Sequence, residues 1–343
     1  MNDTDFRSFG ALLKACEFAQ RGSGDSREAA AFLVEREQQI LALHRRLLSG
    51  GWQPGGFRTF VIREPKRRVI SAAPFGDRVV HHAVCAQLEP MFDRRSSPIS
   101  FACRKGRGTV AALLRARELA RRFRWYLKLD VEHYFETLPH AGLLKRLSAV
   151  VEGAEALAIC ERIVRFGAPG SHPGHGVPIG NLTSQHFSND YLSQLDHHLM
   201  RSLRVPAAVR YMDDILIFSD DPSELRAYRS DLQEWVAVRL GLRLKPSAER
   251  LARVESGVPF LGFRIWPLHI RLDGARRTRL ARRLRTTLAA LDRGLLCEHD
   301  AAACLQSVCA WSDLGGAVRF RQSVLARYEQ TGVRPIDEQA PTG

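Results

Sequence analysis

The stretch "VRYMDDILIF", residues 209–218, places two adjacent aspartates, Asp213 and Asp214, inside an apolar, β-branched run. Like charges side by side in an apolar setting repel one another and desolvate badly, so the pair needs a reason. A strand, a two-residue turn and a second strand make a hairpin, and "RYM" and "ILIF" are predicted to flank a turn at Asp213 and Asp214. Asp tolerates the dihedrals of tight turns, so a plain turn explains the pair about as well as chemistry does.

A second stretch changes the balance. "LKLDVEHYF", residues 127–135, carries an apolar strand that ends in Asp130. If the two strands neighbour one another in a sheet, three carboxylates converge at its edge, which is costly unless divalent cations sit between them. Two Mg2+ ions held in this way, roughly 3.5–4 Å apart, form the clamp that activates a 3′-hydroxyl and stabilises a leaving pyrophosphate. Hard oxygen ligands and the lack of a Cys/His cluster suit magnesium, with Mn2+ as a substitute. His172 and His175 lie in a Gly/Pro loop with no third ligand nearby and read as loop histidines.

The bulk composition agrees with phosphate chemistry. The 343 residues hold 51 basic against 37 acidic side chains, a net charge of +14, which implies a polyanionic partner. Only Lys14, Lys66, Lys105, Lys128, Lys145 and Lys245 are lysines. Codon bias explains Arg over Lys, but not the excess itself. Seven scattered cysteines without a C-x-x-C pair argue against both a zinc ribbon and a disulfide framework. The N-terminus lacks a basic start followed by an apolar run, and no apolar run approaches membrane-spanning length; a cytoplasmic protein without a membrane partner is expected.

Periodicity predicts an α+β protein with strands concentrated in the middle third. A helix is expected over 25–48, opened by an Asp25/Glu28 capping box and stopped by Gly50 and Gly51. "FVI" and "RRVI" read as a hairpin with a basic tip. Helices are expected over 77–92, 108–123, 141–166, from about Asn181, over 222–240 and from about 275, with short strands around "VPFLGFRIW". Arg276, Arg279 and Arg283 flank the stripe of Leu280, Leu284, Leu288 and Leu291, as in a helix that packs on one side and follows a phosphate backbone with its flank.

Six ordered blocks over about residues 57–265 resemble the reverse transcriptases. "FVIREPKRRVISAAPFGDRVVHHAVCAQLEPMF" and "SFACRKGRGTVAAL" are similar to the two fingers blocks, and "YLKLDVEHYF" to the first catalytic palm strand. "GVPIGNLTSQHFSNDYLSQLD" is similar to the template-side helix, "YMDDILIF" to the Tyr-x-Asp-Asp hairpin and "VPFLGFRI" to the primer grip. The resemblance implies a right-hand polymerase. Residues 1–50 would be an N-terminal helical extension, 51–125 fingers, 126–274 palm with a fingers insertion at about 141–178, 275–330 thumb, and 331–343 a disordered tail.

It also implies roles. Asp130, Asp213 and Asp214 would be the metal-binding carboxylates, with the Val131 carbonyl as an extra ligand. Phe135 matches the gate beneath the incoming sugar, where a flat aromatic leaves no room for a 2′-hydroxyl and favours deoxynucleotides. Lys66 and Arg68 would grip the triphosphate. Gly180 would admit the nascent base pair and Gln185 would lie near the nucleotide, while Arg78 and Arg104 are candidates for template or nucleotide contacts. The expected substrates are an RNA template, a DNA or RNA primer and dNTPs. One departure stands out: Lys245 occupies the Asn position of the usual Leu-Asn-Pro turn and Ala248 the place of the following lysine, so the general acid is unassigned.

The chain ends after one thumb-sized segment, which disfavours polyproteins with nuclease or integrase domains and points to a compact prokaryotic enzyme. Ile179-Gly180 and Ser184-Gln185 look like the diversity-generating retroelement enzymes, which copy RNA with errors at adenines and work with a small basic accessory protein. A retron-like or phage-defence enzyme is the rival within the class, and a catalytically silent nucleic-acid-binding protein the rival outside it.

Overall fold

The structure is a computed structural model that describes residues 5–23, 26–63 and 67–331. Helix α1 (Phe9–Arg21) begins at Ser8, whose hydroxyl accepts from the Ala11 N–H, and buries Leu12, Ala15, Cys16 and Ala19 along one face. The helix expected over 25–48 is instead two, α2 (Arg27–Val34) and α3 (Arg36–Leu48), broken at Glu35. Ser26 caps α2 by accepting from the Ala29 N–H; Asp25 lies outside the described residues. Glu28, freed from the expected capping box, accepts from the Phe75 N–H at 2.7 Å.

Strands β1 (Arg58–Ile62) and β2 (Arg68–Ala72) form the expected antiparallel ribbon, with Val61 opposite Val69. Lys66, between the two strands in sequence, is outside the described residues. Helices α4 (Phe75–Arg95) and α5 (Thr109–Arg122) lead into β3 (Trp125–Asp130). After the short α6 (Tyr134–Thr137), the helix expected over 141–166 is divided into α7 (His140–Ser148) and α8 (Ala154–Phe166). Gly153, with φ +92°, makes the break, a conformation that an L side chain rarely adopts. Helix α9 (Leu182–His197) follows, then β4 (Ala207–Tyr211), β5 (Asp214–Ser219), α10 (Pro222–Leu240) and β6 (Arg250–Arg253). A small sheet of β7 (Val258–Phe260), β8 (Phe263–Ile265) and β9 (Ile270–Leu272) precedes α11 (Gly274–Asp292), α12 (Glu298–Ser312) and α13 (Val318–Thr331).

The central sheet is antiparallel throughout, in the order β4-β5-β3-β6. Its pleat sorts the side chains between two cores. Leu127, Leu129, Ala208, Ile215 and Ile217 face the helical layer of α4, α7, α9 and α10. Tyr126, Val209, Leu216 and Phe218 face α5, the small sheet and α11. The four leucines and isoleucines of the first face are 0–1% exposed, and burying each contributes about 1.5–3 kcal/mol. With both faces covered, the interior residues of β4 and β5 are buried. Among the described residues no helix is long and apolar enough to cross a membrane, and all seven cysteines are unpaired.

Candidate active site

The hairpin turn lies one residue earlier than expected. Tyr211 pairs with Asp214, so the turn residues are Met212 and Asp213, and Asp214 is the first residue of β5. That register sets Asp214 directly opposite Asp130 on β3. Both carboxylates therefore stand on one face of the sheet, with Tyr211 and Lys128, and Asp213 sits at the turn beside them. Met212 holds φ +53°, a strained value for a residue without a glycine's freedom.

The turn is anchored from behind by a residue that sequence reasoning passed over. Arg210 points to the opposite face, is 0% exposed, and donates to both carboxylate oxygens of Asp196 on α9 at 2.6 Å. It also donates to the Asn189 side chain at 2.9 Å, to the Ser100 hydroxyl at 3.0 Å and to the Met212 carbonyl in the turn itself at 3.0 Å. An arginine amid "AAVRYM" and an aspartate in the apolar helix "YLSQLDHHL" were the available signals: two charges that burial permits only as a pair.

Electrostatics around the turn disfavour the charged carboxylates. Burial first, and the Asp130 charge second, push the Asp213 carboxyl up to about 6. Asp214 is also raised by burial, against the Lys128 ammonium, which lowers it. Lys128 Nζ lies 2.5 Å from Asp214 Oδ1 and 5.9 Å from the centre of the Phe260 ring. Lys128, two residues before Asp130 on the same face, is a second residue that the sequence reading left without a role. Among the described residues no group of three His, Cys, Asp or Glu side chains is arranged to hold a metal ion. The donor set is still one that a hard divalent cation takes: Asp130 and Asp214 stand opposite one another with Asp213 at the adjoining turn, and the Asp130 charge adds to the burial that raises Asp213 and Asp214. Beside them, the ladder to residues 243–245 runs through the Asp130 carbonyl and the Glu132 N–H, so the Val131 carbonyl takes no part in it.

The other sequence candidates fall into two groups. Arg68, at the start of β2, is near enough for its charge to lower the Asp213 carboxyl, which brings the fingers ribbon to the carboxylates. Phe135, in α6, is half-buried against the core, with its carbonyl accepting from the Val177 N–H at 2.7 Å. Gly180 has φ +116°, and a Cβ there would meet Ile70 Cγ2 at 2.8 Å; Ser71 N–H donates to the Ile179 carbonyl at 2.9 Å. The close approach that Gly180 visibly permits is thus that of β2. Gln185 is exposed in the first turn of α9. Lys245 is tied by its N–H to the Asp130 carbonyl at 2.8 Å, and Ala248 closes a short 3-10 turn after it.

Of the remaining arginines, Arg78, Arg104, Arg276 and Arg283 are engaged within the chain. Arg78 donates to the Ala19 carbonyl at 3.0 Å and braces α1 on α4. Arg104 pairs with Asp93 at 2.6 Å and donates to the carbonyls of Ser97 and Ser100. Arg276 stacks 4.7 Å from the centre of the Phe263 ring and lies against Gly262, whose missing side chain makes room for its guanidinium. Arg279 is half-exposed, and the exposed Arg283 reaches Cys304 Sγ on α12 at 3.6 Å.

An antiparallel sheet that presents carboxylates between a fingers ribbon and a helical thumb defines a right-hand polymerase. The model of the family described as reverse transcriptase (RNA-dependent DNA polymerase) matches residues 62–265, more than half of the chain. The chain belongs to that family. Protein YkfC of Escherichia coli K12 is 25% identical over 270 residues, covering 66% of this chain and 71% of that protein. Nuclear intron maturase 4, mitochondrial, of Arabidopsis thaliana is 26% identical over 148 residues, 42% of this chain and 18% of the maturase. Among solved structures, apo telomerase from Candida tropicalis shares the fold with a TM-score of 0.53 at 10% identity, over 81% of this chain and 59% of that one.

Proposed function

We propose that the chain is an RNA-directed DNA polymerase that makes cDNA by metal-assisted nucleotidyl transfer. One observation carries the reading: Asp130 and Asp214 oppose each other across two strands with the raised Asp213 at the adjoining turn. When bound, two divalent cations, Mg2+ or Mn2+, supply charge neutralisation and the activation of a primer 3′-hydroxyl. Asp130, Asp213 and Asp214 hold them, with the Val131 carbonyl in support. Arg68, joined by Lys66, grips the triphosphate at the fingers ribbon, and Phe135 presents a flat apolar surface to the sugar that leaves a 2′-hydroxyl unpaired. Gln185 and the backbone at Gly180 border the nascent base pair.

The fingers, palm and thumb boundaries given above are part of this reading, as is a small accessory protein. The block Ile179-Gly180 with Ser184-Gln185 supports a diversity-generating retroelement enzyme, since Gln adds an amide donor and acceptor beside the base pair. Primer extension with the purified chain, an annealed RNA template and Mg2+ tests it. Incorporation of dNTPs is expected, and Phe135→Ala should raise ribonucleotide incorporation relative to deoxynucleotide by about tenfold or more. Absence of incorporation under any divalent cation would leave a silent nucleic-acid-binding protein. Sequencing the cDNA then separates the subclasses: errors concentrated opposite template adenines support the retroelement enzyme, and an even spread favours a retron-like or defence enzyme.

A further inference from the structure

We propose that the junction of fingers and palm carries a second RNA site, a cleft that grips the phosphodiester backbone of RNA outside the catalytic face. The cleft has a volume of about 470 Å3 and lies where three helices end. Arg94 and Arg95 close α4, Arg146 closes α7, and His197 with Arg201 lies at the end of α9 and its π-helical extension, His198–Ser202. Gln185, near the proposed nucleotide, is twelve residues up α9 from His197, about 18 Å along the axis. From the cleft the chain returns through β4 to the aspartate turn, so α9 and β4 connect the two sites.

Arginines at helix C-termini ordinarily only complement the macrodipole, so the charge has to be counted. Three helix ends present about half a negative charge each, and Asp190, behind Arg146, adds one more. The sum, about −2.5, falls short of four guanidinium groups, and no carboxylate lines the cleft. Two of the four are structural: Arg95 donates to the Ala149 carbonyl at 2.8 Å, and Arg146 pairs with Asp190 at 2.8 Å. The other two, Arg94 and Arg201, are exposed, and neither pairs with a carboxylate among the described residues. Planar donor forks of this kind suit phosphate oxygens.

An acidic protein would bring the same charge, but a stable protein interface needs a buried aromatic or aliphatic anchor, and Met200 is the only long apolar side chain lining the cleft. RNA needs no such anchor, because its backbone binds through counterion release. That the polyanion is RNA rests on the reverse transcriptase reading; its binding is measured without polymerisation.

The experiment compares the full chain with an Arg94→Ala, Arg201→Ala double variant by fluorescence anisotropy. One probe is a short primer–template duplex, the other the same duplex with long single-stranded RNA flanks. The variant should bind the flanked probe about tenfold more weakly. Its salt slope should fall by about 1.4, two single-strand phosphate contacts, while affinity and extension on the short duplex stay within about twofold. Unchanged affinity for the flanked probe would overturn the site and return the cleft to a protein partner or to none. An equal loss on both probes would overturn it too, as a general charge effect. Retention of the flanked-probe effect in a chain that extends no primer would uphold the cleft and sink the polymerase reading.

Discussion

At Asp213, burial and the neighbouring Asp130 together hold the carboxyl near 6, above its ordinary 3.8. An acid raised in this way binds its proton more tightly folded than unfolded, so its contribution to stability is present in acid and is lost as pH rises from about 4 through 6. Asp213→Asn removes that penalty. In EDTA at pH 7 the variant should be about 1–3 kcal/mol more stable than the parent in urea denaturation; a less stable variant would contradict the assignment of strain to this carboxylate. His81 works in the opposite sense. It is buried on α4 and burial lowers it from 6.5 to about 3, so the unfolded chain takes up a proton that the folded one refuses. Stability from this group is complete above 6.5 and is lost as pH falls below it. Between pH 7 and 5 the parent should lose about 2 kcal/mol more than His81→Leu, and identical pH profiles would refute the burial argument. Asp130 and the Asp pair were legible in the sequence because carboxylates that close apolar strands are conspicuous. Lys128 and Arg210 were not, because a single cation in an apolar run declares its partner only once the strands are in register.

At the scale of elements, the amphipathic helices and the fingers ribbon were legible from periodicity, and α10 has the bounds expected of it. What periodicity missed were breaks and registers. Glu35 and Gly153 interrupt patterns that continue on either side, so the apolar spacing gives no warning. The hairpin register was wrong by one residue. "RYM" and "ILIF" flank Asp213 and Asp214 equally well, and the choice is made by the pairing of Tyr211 with Asp214 and by the buried Arg210, whose donation to the Met212 carbonyl anchors the turn. Strand β6 lies in a stretch rich in charge and was not anticipated, and the bounds of α1, inside the expected N-terminal helical extension, were not given by periodicity. The Arg210–Asp196 pair joins β4 to α9, and removing one partner leaves a buried charge uncompensated. Arg210→Met should cost about 3–5 kcal/mol by denaturant titration, a loss below about 1 kcal/mol being the contrary result. Restoring neutrality in Arg210→Met, Asp196→Leu should recover most of it.

Across the whole molecule the palm sheet sits between two cores, and its strand ends are the places where polar chemistry reaches solvent. At the hairpin end stand the aspartates; the arginine cleft lies where α4, α7 and α9 end. The excess of 14 positive charges is shared between bracing arginines such as Arg78 and Arg104 and exposed ones that offer the solvent a positive surface, so composition points to a polyanionic partner but not to where one would bind. The central claim concerns the aspartates. The most direct test is single-nucleotide extension of a primer on an RNA template, comparing the parent with Asp213→Asn under saturating dNTP and Mg2+, with folding checked by denaturation. Incorporation by the parent and a rate at least about a thousandfold lower in a variant that is folded and at least as stable is the predicted result. Full activity in Asp213→Asn would contradict the account.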